Sequence, residues 1–294
     1  MVESIRELRK ITQAKRIALH KGRETISYSW AFGRKFSIYF TKLFLYTGIS
    51  ANHITVLNFF IGLAAGALFT LGQPVYMLLA AMLAHIWWII DYTDGEVARY
   101  RKSTCVTSAY LDDLTDCAMQ PILLMCITFG LYSIFRSIAV FVFGFLSVIG
   151  ILLISTVSMC KYEAVLHKWE LAGLAKKVRG GVSKLRGNRK GRESVKESEF
   201  KSYLPRSVFI VFNHILHLSI APGILHVMFA AALIDLVIPQ IALGWPAFNW
   251  LTFNFMYLFL ILYGIFSQFI WIGLAAINIK LKSADMLYNS LSRS

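Results

Sequence analysis

Long uninterrupted apolar runs constrain this chain more than any other feature of it. Residues 53–72, 75–97, 108–132, 137–160 and 251–278 are each dominated by apolar side chains. A helix of about 20 such residues crosses the roughly 30 Å hydrocarbon core of a bilayer. The stretch 206–243 is longer than one simple span needs. Pro222-Gly223 within it predicts a kink or the end of an interfacial lead-in. The expectation is an all-α polytopic membrane protein with six transmembrane helices. Short outer turns are expected at Gly72–Pro74 and around Trp245, Pro246, Asn249 and Trp250, where aromatic rings suit the interface.

Charge orients these spans. The formal net charge is +14, yet of the 30 Lys and Arg only Arg136 falls in a loop of the outer side. That is the positive-inside pattern, and it predicts both termini in the cytoplasm of a bacterial inner membrane or an equivalent membrane. It also accounts for the excess of cations without a nucleic-acid partner. Residues 161–207 form a long basic segment, with ten Lys or Arg against three Glu in 176–201. A topology determinant that touches anionic membrane lipids is the expected role. Cys105, Cys117, Cys126 and Cys160 show no paired spacing and are expected to be reduced thiols.

The N-terminal region is not a secretory signal, because residues 1–35 are charged and lack an apolar core. Ser4 and Glu7 have the spacing of a capping box for a short helix. Residues 34–48 are too short and too charged to span. They predict an interfacial amphipathic helix with Arg34, Lys35 and Lys42 toward the headgroups. The organisation expected is a cytoplasmic segment 1–52, a six-span membrane domain 53–282 and a tail 283–294.

Between the second and third spans lies DYTDGEVARYRKSTCVTSAYLDDLTD, residues 91–116. Ionisable groups at the edge of a bilayer are expensive and mark function. Asp91 and Asp94 are i and i+3; Asp112 and Asp116 are i and i+4. Each pair therefore shares one helix face. At about 100° per residue, Gly95 and Ala98 fall on the face of Asp91 and Asp94, with Arg99 at its edge. Ser108, Asp112 and Asp116 make a second stripe. Opposed, the two stripes would build a pocket open to the cytoplasm. All-carboxylate ligation favours Mg²⁺, Mn²⁺ or Ca²⁺. Two such ions about 3.5–4 Å apart suit displacement at phosphorus. Arg99 is suited to bidentate contact with phosphate oxygens.

The string Asp91-x2-Asp94-Gly95-x2-Ala98-Arg99-x8-Ser108-x3-Asp112-x3-Asp116 resembles the signature of the CDP-alcohol phosphatidyltransferases. That signature has glycine where this chain has Ser108; the other fixed residues and all spacings agree. Ser50 to Thr55, before the first span, also looks like that family's lead-in segment. The resemblance implies transfer of a phosphate-linked alcohol from a CDP-activated donor to an acceptor hydroxyl, with release of CMP. It implies two divalent cations, Mg²⁺ or Mn²⁺, held by Asp91, Asp94 and Asp112. Asp116 would sit at the metal site and act as general base. Gly95 and Arg99 would bind the donor, beside Ala98 and Ser108. A homodimer is implied as well. Serine at position 108 adds bulk and a hydroxyl, and predicts a reshaped but active pocket.

Arg101, Lys102, His214 and His217 are further candidates for pocket or acceptor contacts. Topology accounts for the first two, and hydrogen bonding between helices for the two histidines. Asp113 points about 100° away from Asp112 and is expected to be a solvated charge. Asp235 is expected to be structural. The alternative function is a divalent-cation transporter or channel that uses the acidic cluster. An arginine beside the acids suits phosphate and would repel a permeating cation. The donor is open: CDP-diacylglycerol with a polar acceptor, or a small CDP-alcohol with a lipid acceptor.

Overall fold

A computed structural model describes residues 2–14, 28–103, 105–171, 223–238, 241–242, 252–280, 282 and 284–285. Helices follow one another as α1 (Ile5–Thr12), α2 (Tyr28–Thr47), α3 (Ala51–Thr70), α4 (Pro74–Tyr100), α5 (Val106–Phe135), α6 (Ile138–Leu171), α7 (Gly223–Val237) and α8 (Phe255–Lys280). Between α7 and α8, β1 (Ile241–Ala242) pairs antiparallel with β2 (Thr252–Phe253). Five helices among the described residues, α3, α4, α5, α6 and α8, are long and apolar enough to cross a membrane. The fold is that of an all-α polytopic integral membrane protein. α7 has 15 residues, and at about 1.5 Å per residue it falls short of a full bilayer core. Residues 206–222, which the expected fifth span also includes, lie outside the described residues, as do His214 and His217.

The chain forms two compact units. Met1–Ile151 with His217–Phe266 make one, and Leu152–Leu216 with Ser267–Ser294 make the other. The acidic cluster belongs to the first. There α3, α4 and α5 pack through small residues, the usual way for helices to come close in lipid. A Cβ on Gly62 would stand 2.6 Å from the Met119 sulfur. The α3–α4 turn uses Gly72 at φ +76°, with Pro74 opening α4. α7 packs onto α4, with the His226 ring 5.1 Å from that of His85 and 5.5 Å from that of Trp88.

The N-terminal region departs most from expectation. α1 carries its capping box: Glu7 N–H donates to Ser4 Oγ at 3.3 Å, and Ser4 N–H to Glu7 Oε2 at 3.2 Å. α2 lies against α4 and buries Arg34, Ser37, Ile38, Thr41 and Phe44, a stripe at helical spacing. Arg34, expected at the headgroups, is therefore corrected: it is buried, with Nη1 3.5 Å from Glu96 Oε1. A carboxylate with no solvent needs donors, and this guanidinium is one of them. Lys35 is exposed and Lys42 half-buried.

Candidate active site

The link 101–105 folds α4 and α5 into a hairpin that brings the two acid pairs to one end. α4 ends at Arg101, whose backbone N–H returns to Val97 O, and Lys102 then takes a left-handed φ of +54°. α5 is capped by Cys105, whose sulfur accepts from Ser108 N–H at 3.3 Å. Asp91 lies beside Asp116 and within electrostatic reach of Asp94 and Asp112. Asp94 is buried. It accepts from Thr55 Oγ1 of α3 at 2.5 Å and from the Gly95 N–H. Asp113 is exposed, as its offset on the helix predicts.

The arginine of the stripe lies across the glycine. A Cβ on Gly95 would stand 3.1 Å from Arg99 Nη1, a tight contact that the guanidinium would have to yield to by a few tenths of an ångström. Arg99 Nε donates to Thr12 O at 2.8 Å, at the end of α1. Ala98 is buried. Ser108 Oγ donates to Asn52 Oδ1 at 2.7 Å and joins the starts of α3 and α5. Arg101 donates to the carbonyls of Gly48, at 3.2 Å, and Ile49, and so fastens the turn into α3. Lys102 is exposed.

Four residues escaped the sequence reading. Thr55 is one; its helix had drawn notice only as a lead-in segment. Asn58, one turn further along α3, is buried, and its Oδ1 has no hydrogen-bond partner among the described residues. Gln120 Oε1, one turn beyond Asp116, is likewise buried without one. The fourth is Glu96, inside the motif and fully buried. Its Oε1 accepts from Ser37 Oγ at 2.8 Å and Gln13 Nε2 at 2.9 Å, and its Oε2 from Thr41 Oγ1 at 2.6 Å.

Oxygen ligands, mostly carboxylates, suit a hard divalent cation in chemical type. As the side chains stand, no three His, Cys, Asp or Glu among the described residues form a group that would hold a metal ion. A search of curated proteins finds no match to this chain. The four aspartates, Gly95, Arg99, Ser108 and Thr55 all lie within residues 48–178, and that segment matches the CDP-alcohol phosphatidyltransferase family, consistent with its class I members.

Proposed function

We propose that the protein is a metal-dependent CDP-alcohol phosphotransferase of phospholipid or related phosphodiester synthesis. The meeting of Asp91, Asp94, Asp112 and Asp116 on one helical hairpin, inside the matched segment, carries this reading. Like charges held together call for a cation, and the four aspartates would hold Mg²⁺ or Mn²⁺. When bound, the cations would neutralise the donor's diphosphate and the departing CMP.

The chain's own residues supply the rest. Arg99, set over Gly95, binds the diphosphate. Asp116 takes the proton of the acceptor hydroxyl as its oxygen attacks the β-phosphorus in line. The bond from that phosphorus to the bridging oxygen breaks, and CMP leaves with the electron pair. The carbonyl oxygens of Asn58 and Gln120, unpartnered among the described residues, suit an acceptor that brings hydrogen-bond donors. CDP-diacylglycerol with a polar acceptor is the favoured pair, since cations at the pocket mouth suit a phosphorylated acceptor. Six spans, with α7 as part of the fifth, would place the site and both termini in the cytoplasm. A homodimer is part of the proposal.

The test is CMP release by purified protein over a panel of CDP-linked donors and hydroxyl acceptors. Release with Mg²⁺ or Mn²⁺, abolished by chelation, is expected. Cation flux in liposomes without nucleotide turnover would establish the transporter instead.

A further inference from the structure

The motif leaves Glu96 unspecified, yet four described side chains engage it. It is fully buried. Ser37, Thr41 and Arg34 reach it from α2, and Gln13 reaches it from the end of α1. Gln13 Nε2 also donates to Arg34 O at 2.9 Å, so this one amide ties α1 to both α2 and α4. Leu8, Thr12 and Gln13 are buried in the same contact. Tyr100 Oη donates to Glu3, which holds the other end of α1 against α4.

Docked in this way, α1 presents its C-terminal end to the motif. The last carbonyls of a helix lack intrahelical donors and carry the negative end of its dipole. A guanidinium is their natural partner, and Arg99 Nε takes Thr12 O at 2.8 Å. The guanidinium is thereby held at Nε by Thr12 O, with Nη1 lying on the open side of Gly95. An arginine already held in place loses less freedom when it takes up a diphosphate.

We propose that α1 is a working part of the donor site. Glu96 anchors it through Gln13, and its terminal carbonyl at Thr12 sets Arg99 to receive the diphosphate of the CDP donor. Glu96 and Gln13 are positioning residues. The inference rests on reading Arg99 as the diphosphate contact.

The experiment uses full-length protein in detergent with Mg²⁺ and reads the Kd for CDP by titration calorimetry, beside CMP release. Gln13→Leu should weaken CDP binding and raise the donor KM by about tenfold. It should leave kcat and the acceptor KM within about twofold. In an Arg99→Ala background the same change should alter CDP affinity by less than about twofold, because Gln13 acts through that arginine. Trypsin should cut after Arg9 and Lys10 faster in Gln13→Leu than in wild type. CDP should slow that cut in wild type, since coupling between two binding events is reciprocal. Leu8→Ala, which loosens the same helix by packing alone, should repeat the pattern.

Equal losses in both backgrounds would make Gln13 merely structural and overturn the inference. So would loosened α1 with unchanged CDP affinity, or weakened affinity with α1 still protected. Tighter CDP binding in Gln13→Leu would make α1 a block on the site, which also overturns it. Wild-type protein that neither binds CDP nor releases CMP overturns the functional reading itself.

Discussion

Asp116→Asn keeps the shape of the side chain beside Asp91 but removes the proposed base. CMP release should fall by about 10²–10⁴, while size-exclusion and thermal profiles stay those of wild type; full turnover would remove Asp116 from the proposed role. Cys105 offers a second test beside the site. It is exposed, and hydrogen bonding with the Ser108 hydroxyl, which it shares with Asn52, and with the Ser108 amide shifts its thiol pKa downward. A depressed pKa means thiolate at lower pH, so its alkylation rate should rise earlier in a pH series than that of a free thiol. Ser108→Ala should move that midpoint upward, and a midpoint that stays put would sink the assignment. At this scale the aspartates were legible because their spacing is local and helical. Glu96, Thr55 and Asn58 were not, since their surroundings come from segments far away in sequence. The partners of Glu96 lie 55 to 83 residues away. Nothing near Glu96 in the chain distinguishes it from a solvated charge.

Helix ends and crossings explain how the elements hold the site. Asp235, buried on α7, accepts from the backbone N–H of Phe255 at 2.6 Å and of Met256 at 2.9 Å. It therefore caps the first turn of α8 from outside that helix. Asp235→Ala should destabilise the protein by roughly 1–3 kcal/mol, read as a lower melting temperature in detergent; an unchanged value would show that the cap contributes nothing. α3 and α5 touch at Gly130, where an added Cβ would overlap Phe69 O. Gly130→Leu must push these helices apart. Expression of folded protein should drop, and Asn52 and Ser108 at the far end of the same crossing should lose their contact. The α3–α4 turn and the ends of α4 and α5 were readable from Gly72, Pro74 and the apolar runs. The burial of α2 was not. Its cations suggested an interface, whereas the stripe of Ser37 and Thr41 reaches a charge on another helix.

Across the whole molecule, the lopsided placement of Lys and Arg makes the orientation testable. Ser103→Cys and Arg136→Cys, each in a cysteine-free background, should react with a membrane-impermeant maleimide from opposite sides of intact spheroplasts. Ser103→Cys should require permeabilisation. Labelling of both from one side would overturn the proposed topology. Outward-facing apolar residues such as Phe60, Leu79, Met82 and Phe145 are exposed, as lipid contact requires. That layout was legible because a bilayer imposes length and hydrophobicity on each span. No such rule governs how α1 folds back onto α4.

The hairpin of α4 and α5 has a consequence for biosynthesis. All four aspartates fall within 26 consecutive residues, and the segments that brace them, α1 to α3, precede them in the chain. Every contact described around the acids is thus complete by Phe135, before α6 has been translated. A nascent chain can close this part of the site as soon as α5 is made, because domains form in the order of synthesis. The later helices then join a candidate site that is already assembled.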